Sequence, residues 1–251
     1  MKKRLFTLFV CVAALELVVT GACSTPALLR PAETPTATIT IAPTATVTPS
    51  KTPKPPTATP YPEFYTETFR SNFSAWSHVV TLGDSSDFFQ SQTDNGLRLQ
   101  LDDPKLYVYY FYDPYSYEDV ILDLLYKNLG HNSNNINLLC RSSEDGWYEF
   151  TVQNDGLYQI WAFDIVGDQG YVLLASGGST AILSGYQENE INISCIGNTL
   201  TLSINQKQIK TVTDNQFFFT EGQVGFGVNI SFYNPVTPVV VEIESLTISR
   251  P

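Results

Sequence analysis

Histidine is almost missing from this chain, with two in 251 residues. No His/Cys spacing around His78 or His131 fits a zinc site. A nucleophilic triad would have to draw on one of them, and the chain has no Gly-x-Ser-x-Gly elbow. Both are expected at the surface. Positive charge is scarce too: 14 Lys and Arg stand against 25 Asp and Glu, for a net charge of −11. With no basic stripe to relieve it, phosphate backbones and anionic lipid are repelled, which excludes nucleic acid as a partner. A membrane-spanning run is also lacking. Leu5 to Val19 is apolar but falls short of the roughly 20 residues a spanning helix needs, and it carries Glu16.

That short run reads instead as an address. Lys2, Lys3 and Arg4 precede it, and the small residues Thr20, Gly21 and Ala22 follow it, the pattern of a secretory signal. Val-Val-Thr-Gly-Ala-Cys, ending at Cys23, resembles the lipobox of bacterial lipoproteins, with Thr20 where leucine is usual. The resemblance implies a signal peptide over 1–22, lipidation of Cys23, and an extracytoplasmic chain that meets the membrane only through its N-terminal lipid. Plain secretion after Ala22 and an uncleaved anchor are the alternatives. Residues 23–62 are built of Thr-Pro and Thr-Ala units without an aromatic before Tyr61. Such a stretch buries too little apolar surface to offset ordering entropy, so a disordered linker is expected. Residues 63–251 are enough for one domain with a single core. Cys140 and Cys195 remain as an even pair in an oxidising compartment, where a disulfide is the natural reading and two separate buried thiols the other.

The domain reads as strands nearly throughout. Alternating or β-branched runs begin at Leu97, Val120, Ile136, Tyr148, Leu157, Ile191, Leu200, Val224 and Pro238. Asn154-Asp155-Gly156 and Gly197-Asn198 supply the positive-φ positions of tight hairpins between them. The best helical candidate is a short turn from Ser71 to Trp76. More than ten short strands at this spacing predict an all-β sandwich or barrel.

YTETFRSNFSAW, from Tyr65, resembles the opening of concanavalin A-like jelly-roll domains. CRSSEDGWYEFTVQNDGLYQIWAF, ENEINISCIGNTLTLSINQKQIKTVTD and GQVGFGVNI resemble the branch of 3-keto-disaccharide hydrolase and laminin G-like domains. The second hairpin here is Asn205-Gln206, without the usual glycine. The resemblance implies a jelly-roll β-sandwich, and a glycoside-acting enzyme as one functional class. A jelly-roll glucanase would resemble a Glu-x-Asp-x-x-Glu strand, with carboxylates in line on one face. Glu242 and Glu244 share a face, but Thr247 stands where a third carboxylate would be, so a solvated outer face is expected there. Glu144, Asp145 and Glu149 are read as flanking a turn. No cofactor is expected; calcium is the least unlikely metal, through the loop oxygens of Asp102, Asp103, Asp113, Glu118 and Asp119, without an EF-hand order.

The richest stretch is LYVYYFYDPYSYEDV, from Leu106 to Val120. As a strand it places Tyr107, Tyr109 and Phe111 on one face and Leu106, Val108, Tyr110 and Tyr112 on the other. Leu106 and Val108 have no polar tip to satisfy, so their face is the core candidate. Tyr107, Tyr109 and Phe111, joined by Trp147 and Trp161, then form a candidate sugar-stacking face; burial on both faces is the competing reading. Three classes of function stay open: a non-catalytic module recognising carbohydrate or another cell-envelope polymer, a glycoside hydrolase, and a structural or protein-interaction domain.

Overall fold

The computed structural model describes residues 60–232 and 234–251. The signal segment, Cys23 and the Thr/Pro-rich stretch up to residue 59 lie outside them. Fifteen strands follow one another: β1 (Tyr65–Glu67), β2 (Trp76–Leu82), β3 (Phe88–Gln92), β4 (Leu97–Leu101), β5 (Tyr107–Tyr112), β6 (Val120–Asn128), β7 (Asn134–Ser142) and β8 (Gly146–Gln153). Then come β9 (Leu157–Asp164), β10 (Gly170–Gly178), β11 (Glu188–Ile196), β12 (Thr199–Ile204), β13 (Lys207–Thr213), β14 (Gln223–Ile230) and β15 (Val239–Ser249). Among the described residues the sole helical element is a 3-10 turn at Ser85–Asp87. The expected short turn is present within Ser71 to Trp76, where the Trp76 N–H donates to the Phe73 carbonyl at 2.9 Å, and it leads into β2.

All strand pairs are antiparallel. One sheet runs β13-β12-β11-β6-β15-β4-β3, with β1 also on β15; the other runs β10-β9-β8-β7-β14-β5-β2. The two sheets enclose one core, as the expected jelly-roll sandwich requires. β6 shows why the chain folds this way. Val120, Leu122, Leu124 and Tyr126 point inward and are fully buried, while Ile121, Asp123, Leu125 and Lys127 between them are partly exposed. In β5 the same alternation sends Val108, Tyr110 and Tyr112 into the core, where the Tyr110 ring lies 4.7 Å from Phe226 and parallel to it.

The disulfide between Cys140 and Cys195 is formed, with Cα atoms 6.7 Å apart. It joins β7 of one sheet to β11 of the other across the core, and the two strands are not paired neighbours. Around the Pro114 turn the tyrosine run has another task. Tyr112, Tyr115 and Tyr117 donate their hydroxyls to the backbone carbonyls of Pro62, Tyr61 and Glu63. Tyr61 and Pro62 are thus in contact with the sandwich. Arg250, at the far end of the chain, lies over the Phe64 ring at 4.7 Å and 3.9 Å from Glu63.

The last strand departs from expectation at one carboxylate. Glu242 is buried, and it accepts from Thr93 Oγ1 at 2.7 Å and Asn95 Nδ2 at 3.4 Å. The turn joining β3 to β4 folds over it, so this face is not simply solvated. Glu244 beside it sits at a bulge in the β15–β6 register and stays partly exposed.

Candidate functional site

The outer face of the seven-stranded sheet concentrates the polar and aromatic chemistry of the domain. Register places its residues in transverse rows. Tyr109, Gly227, Asn137, Thr151 and Gln159 form one, from β5 to β9. Phe111, Gly225, Leu139, Glu149 and Trp161 form the row on one side of it. Tyr107, Asn229, Asn135 and Gln153 form the row on the other. The glycines of β14 explain how bulky rings fit here. A Cβ on Gly227 would stand 2.6 Å from Tyr109 Cδ1, and one on Gly225 would stand 3.1 Å from Phe111 Cδ1. Both rings thus lie flat on bare backbone, 6.4 Å apart.

Glu149 is the centre of this face. It stands inside β8, flanked on its own face by Trp147 and Thr151, and it is buried. Its Oε2 accepts from the Tyr171 hydroxyl at 3.1 Å, the Tyr109 hydroxyl at 3.2 Å and Trp147 Nε1 at 3.2 Å. Oε1 is approached only at 3.4 Å by Tyr109 and 3.5 Å by Thr151 Oγ1, so that oxygen keeps most of its accepting capacity. Burial raises the carboxyl above its ordinary range, and the donors on Trp147, Tyr171, Tyr109 and Thr151 offset part of the rise. Burial and the neighbouring carboxylate push the Tyr109 and Tyr171 hydroxyls upward, so both stay protonated and act as donors.

Beside Glu149 a cavity of about 260 Å³ opens on the sheet. Thr151, Gln153 and Gln159 line it from β8 and β9, Asn135 and Asn229 from β7 and β14. Its aromatic boundary is Tyr107, Trp161, Tyr171 and the exposed Phe232. Gln153 donates to Gln159 Oε1 at 3.1 Å, and Asn137 donates to Asn229 Oδ1 at 2.7 Å. Among the described residues, the buried oxygens Asn135 Oδ1 and Gln153 Oε1 of this lining have no partner. A buried acceptor without a partner costs free energy, about 1–3 kcal/mol, so these amides are set to receive hydroxyl donors. Glu149 is the sole ionisable group other than tyrosine in the lining.

The five aromatics expected on this face are all there, in different positions. Tyr107 and Trp161 line the cavity. Tyr109 faces away from the core as expected but is 3 % exposed, because it lies beneath the surface as a support for Glu149. Trp147 also serves Glu149, with its ring stacked 4.2 Å from Phe163. Phe111 stacks on Tyr109 outside the cavity. Glu149 itself was not legible as more than a turn-flanking acid. It lies three residues past Gly146 in a period-two run, and that run of Trp147, Glu149, Thr151 and Gln153 is the signal that marks its face. Tyr171, Gln159 and the asparagines come from strands whose sequence carries no such mark.

Three of the loop acids considered for calcium accept hydrogen bonds within the protein. Asp103 accepts from the backbone of Lys105 and Asp84, Asp113 from Ser77 and Gln223, and Asp119 from Arg141 and Gly197. Among the described residues no group of three His, Cys, Asp or Glu is placed to hold a metal ion. His78 is exposed on β2, stacked on Tyr110, and His131 is exposed in the loop before β7.

This sandwich of two antiparallel sheets has a jelly-roll fold. Among solved structures it is similar to the carbohydrate-binding module CBM66 from Bacillus subtilis, at 13 % identity and a TM-score of 0.52, over 70 % of this chain and 95 % of that one. It is similar to the Bacillus licheniformis β-glucanase at 14 % identity and a TM-score of 0.55, over 75 % and 98 %. A Bacillus subtilis protein of unknown function with a galectin-like fold gives 12 % identity and a TM-score of 0.58, over 74 % and 94 %. At these identities the likeness is one of fold. No protein-family model and no curated protein matches the sequence.

Proposed function

We propose that this domain recognises carbohydrate through the cleft beside Glu149 and does not hydrolyse it. One observation carries the reading: the cavity combines aromatic sides, an amide floor with unpartnered acceptors, and a single carboxylate. Aromatic faces stack on the apolar face of a sugar ring while amides and a carboxylate take its hydroxyls. Glycoside hydrolysis needs two carboxyl groups flanking the bond, about 5 to 9.5 Å apart. Thr151 and Gln153 follow Glu149 on its face of β8, and neither supplies the second. The fold neighbours include both a carbohydrate-binding module and a β-glucanase, and the single carboxylate of the cleft supports the binding reading.

A glycan array probed with the full chain and its Trp161→Ala variant tests this. Binding that weakens at least tenfold in the variant, a loss of about 1.4 kcal/mol, is the expected result. Silence from both proteins would remove the carbohydrate reading in favour of a structural or protein-interaction role, and reducing sugar released from the bound glycan would make it an enzyme. We further place the domain outside the cytoplasm, held to the membrane by lipid on Cys23. The signal-like segment and the inter-sheet disulfide support this. A Cys23→Ala variant should move the protein from the membrane fraction to the soluble one; unchanged fractionation would refute lipid attachment.

A further inference from the structure

Glu149 lines the cleft as a buried carboxylate without a cationic partner. Its three close donors, on Tyr171, Tyr109 and Trp147, are neutral, and no Lys, Arg or His lines the cavity beside it. Its register partners are Leu139 on β7 and Trp161 on β9. β5 brings Tyr107 and Tyr109 toward it and β10 brings Tyr171, so the titratable groups that face it are tyrosines. A carboxylate buried in this way sheds its charge by taking up a proton unless a cation arrives, and burial does raise this one.

Around Glu149 the lining supplies acceptors and aromatic rings. Its Oε1 keeps most of its accepting capacity, and the unpartnered atoms Asn135 Oδ1 and Gln153 Oε1 are acceptors too. Tyr171 and Trp161 form one corner of the lining, with ring centroids 6.0 Å apart and planes at 78°, and Tyr107 and Phe232 add two further rings. An ammonium brings three donors and no acceptor, and aromatic faces attract it. The wider field acts in the same sense. Residues 60–251 carry eight basic against twenty-three acidic side chains, which draws cations toward the domain. A neutral hydroxyl would also donate to these acceptors, but it would leave the buried charge of Glu149 unbalanced.

We propose, resting on the carbohydrate reading above, that the cleft selects glycans bearing free amines, with the ammonium of one amino sugar paired to Glu149 and its ring against Trp161. The ammonium takes the place of the proton that burial would otherwise hold on the carboxyl. N-acetylation removes the ligand's charge and two of its donors, so it is the change to which the site responds most.

The test is calorimetric titration of the full chain with dimers and trimers of glucosamine, N-acetylglucosamine and glucose, and with trilysine as a cation that is not a sugar. The expected result is glucosamine oligomers bound at least tenfold more tightly than the N-acetylated ones, with the preference lost in Glu149→Gln and binding weakened in Trp161→Ala. Affinity for the glucosamine trimer should also fall as pH is lowered toward the ordinary glutamate value of about 4.3, where the carboxyl takes up its proton. N-acetylated or glucose oligomers bound as tightly as glucosamine would overturn the amine class and leave carbohydrate binding intact. Trilysine bound as tightly as the glucosamine trimer, or a preference that survives Glu149→Gln, would reduce the effect to overall charge and overturn the pairing. Affinity constant across that pH range would overturn it as well. If all three sugars fail while the glycan array finds another ligand, this inference alone falls; silence on the array too removes the reading beneath it.

Discussion

Replacing Gly227 with alanine reports on the bed that holds the site together. The new Cβ would meet Tyr109 Cδ1 at 2.6 Å and Cε1 at 2.8 Å, with the Val108 carbonyl oxygen at 3.0 Å. Carbon atoms in good contact stand about 3.5–4.0 Å apart, so the ring must rise by about 1 Å. That movement lengthens its 3.2 Å hydrogen bond to Glu149 beyond useful range. Overpacking of this kind costs about 1–3 kcal/mol, and losing a hydrogen bond to a charged group about 1.5–3 kcal/mol. The restricted unfolded chain returns about 0.4–1 kcal/mol. The net expectation is a loss of about 2–4 kcal/mol in urea denaturation, together with weaker glycan binding. Gly178→Ala is the control, since its Cβ would have contacts no closer than 3.6 Å and should be neutral or slightly stabilising. In a Tyr109→Phe background the cost of Gly227→Ala should shrink by about 1–2 kcal/mol, because the hydroxyl bond is already absent. Full additivity of the two changes, or a Gly227→Ala protein as stable as the parent, would refute the account of Tyr109 as a plank that positions Glu149.

Glu149 also sets a pH dependence. Its folded-state value is raised by burial, so its contribution to stability is fully present below the unfolded value, about 4.3, and is lost as pH rises through the folded value. The unfolding free energy of the wild type should therefore decline across that window relative to Glu149→Gln, and a difference that is flat with pH would contradict it. Removing the cross-link with Cys140→Ala and Cys195→Ala together opens a 55-residue loop and should cost roughly 4 kcal/mol by chain entropy; a chemical-denaturation loss under 1 kcal/mol would show that the bond does little. Gln206 holds φ at +63° in the hairpin between β12 and β13, a region that favours glycine. Gln206→Gly should raise stability by about 0.5–1 kcal/mol, and a lowered Tm would argue that its side chain contributes more than its backbone strains.

The sandwich was legible because period-two alternation is written into strands such as β6, and because tight hairpins need residues that tolerate positive φ. Gly156 at +103° and Gly197 at +53° occupy such positions. The face of β5 was legible by the same logic, since Val108 has no polar tip and Tyr109 does. What the sequence could not show is depth. Tyr109 and Tyr107 share a face and a residue type, yet one is buried under the surface and the other lines the cavity. The difference is made by Gly227, which is distant in sequence and meets Tyr109 only through register. Glu149 was missed for a related reason: its three close donors come from β5, β8 and β10, and only the one on Trp147 is a near neighbour in the chain.

The tyrosines around Pro114 bear on force. β1 is three residues long and borders a single partner, β15, so a pull applied upstream of Tyr61 would on its own peel it away one bond at a time. The hydroxyls of Tyr112, Tyr115 and Tyr117 grip three successive carbonyls ahead of that strand, and two of the three residues are rooted in the core. Load entering from the N-terminal side is thereby passed to the interior of the sandwich before it reaches the β1–β15 pairing, and the sheet that carries the cleft can hold its shape while the domain is tugged.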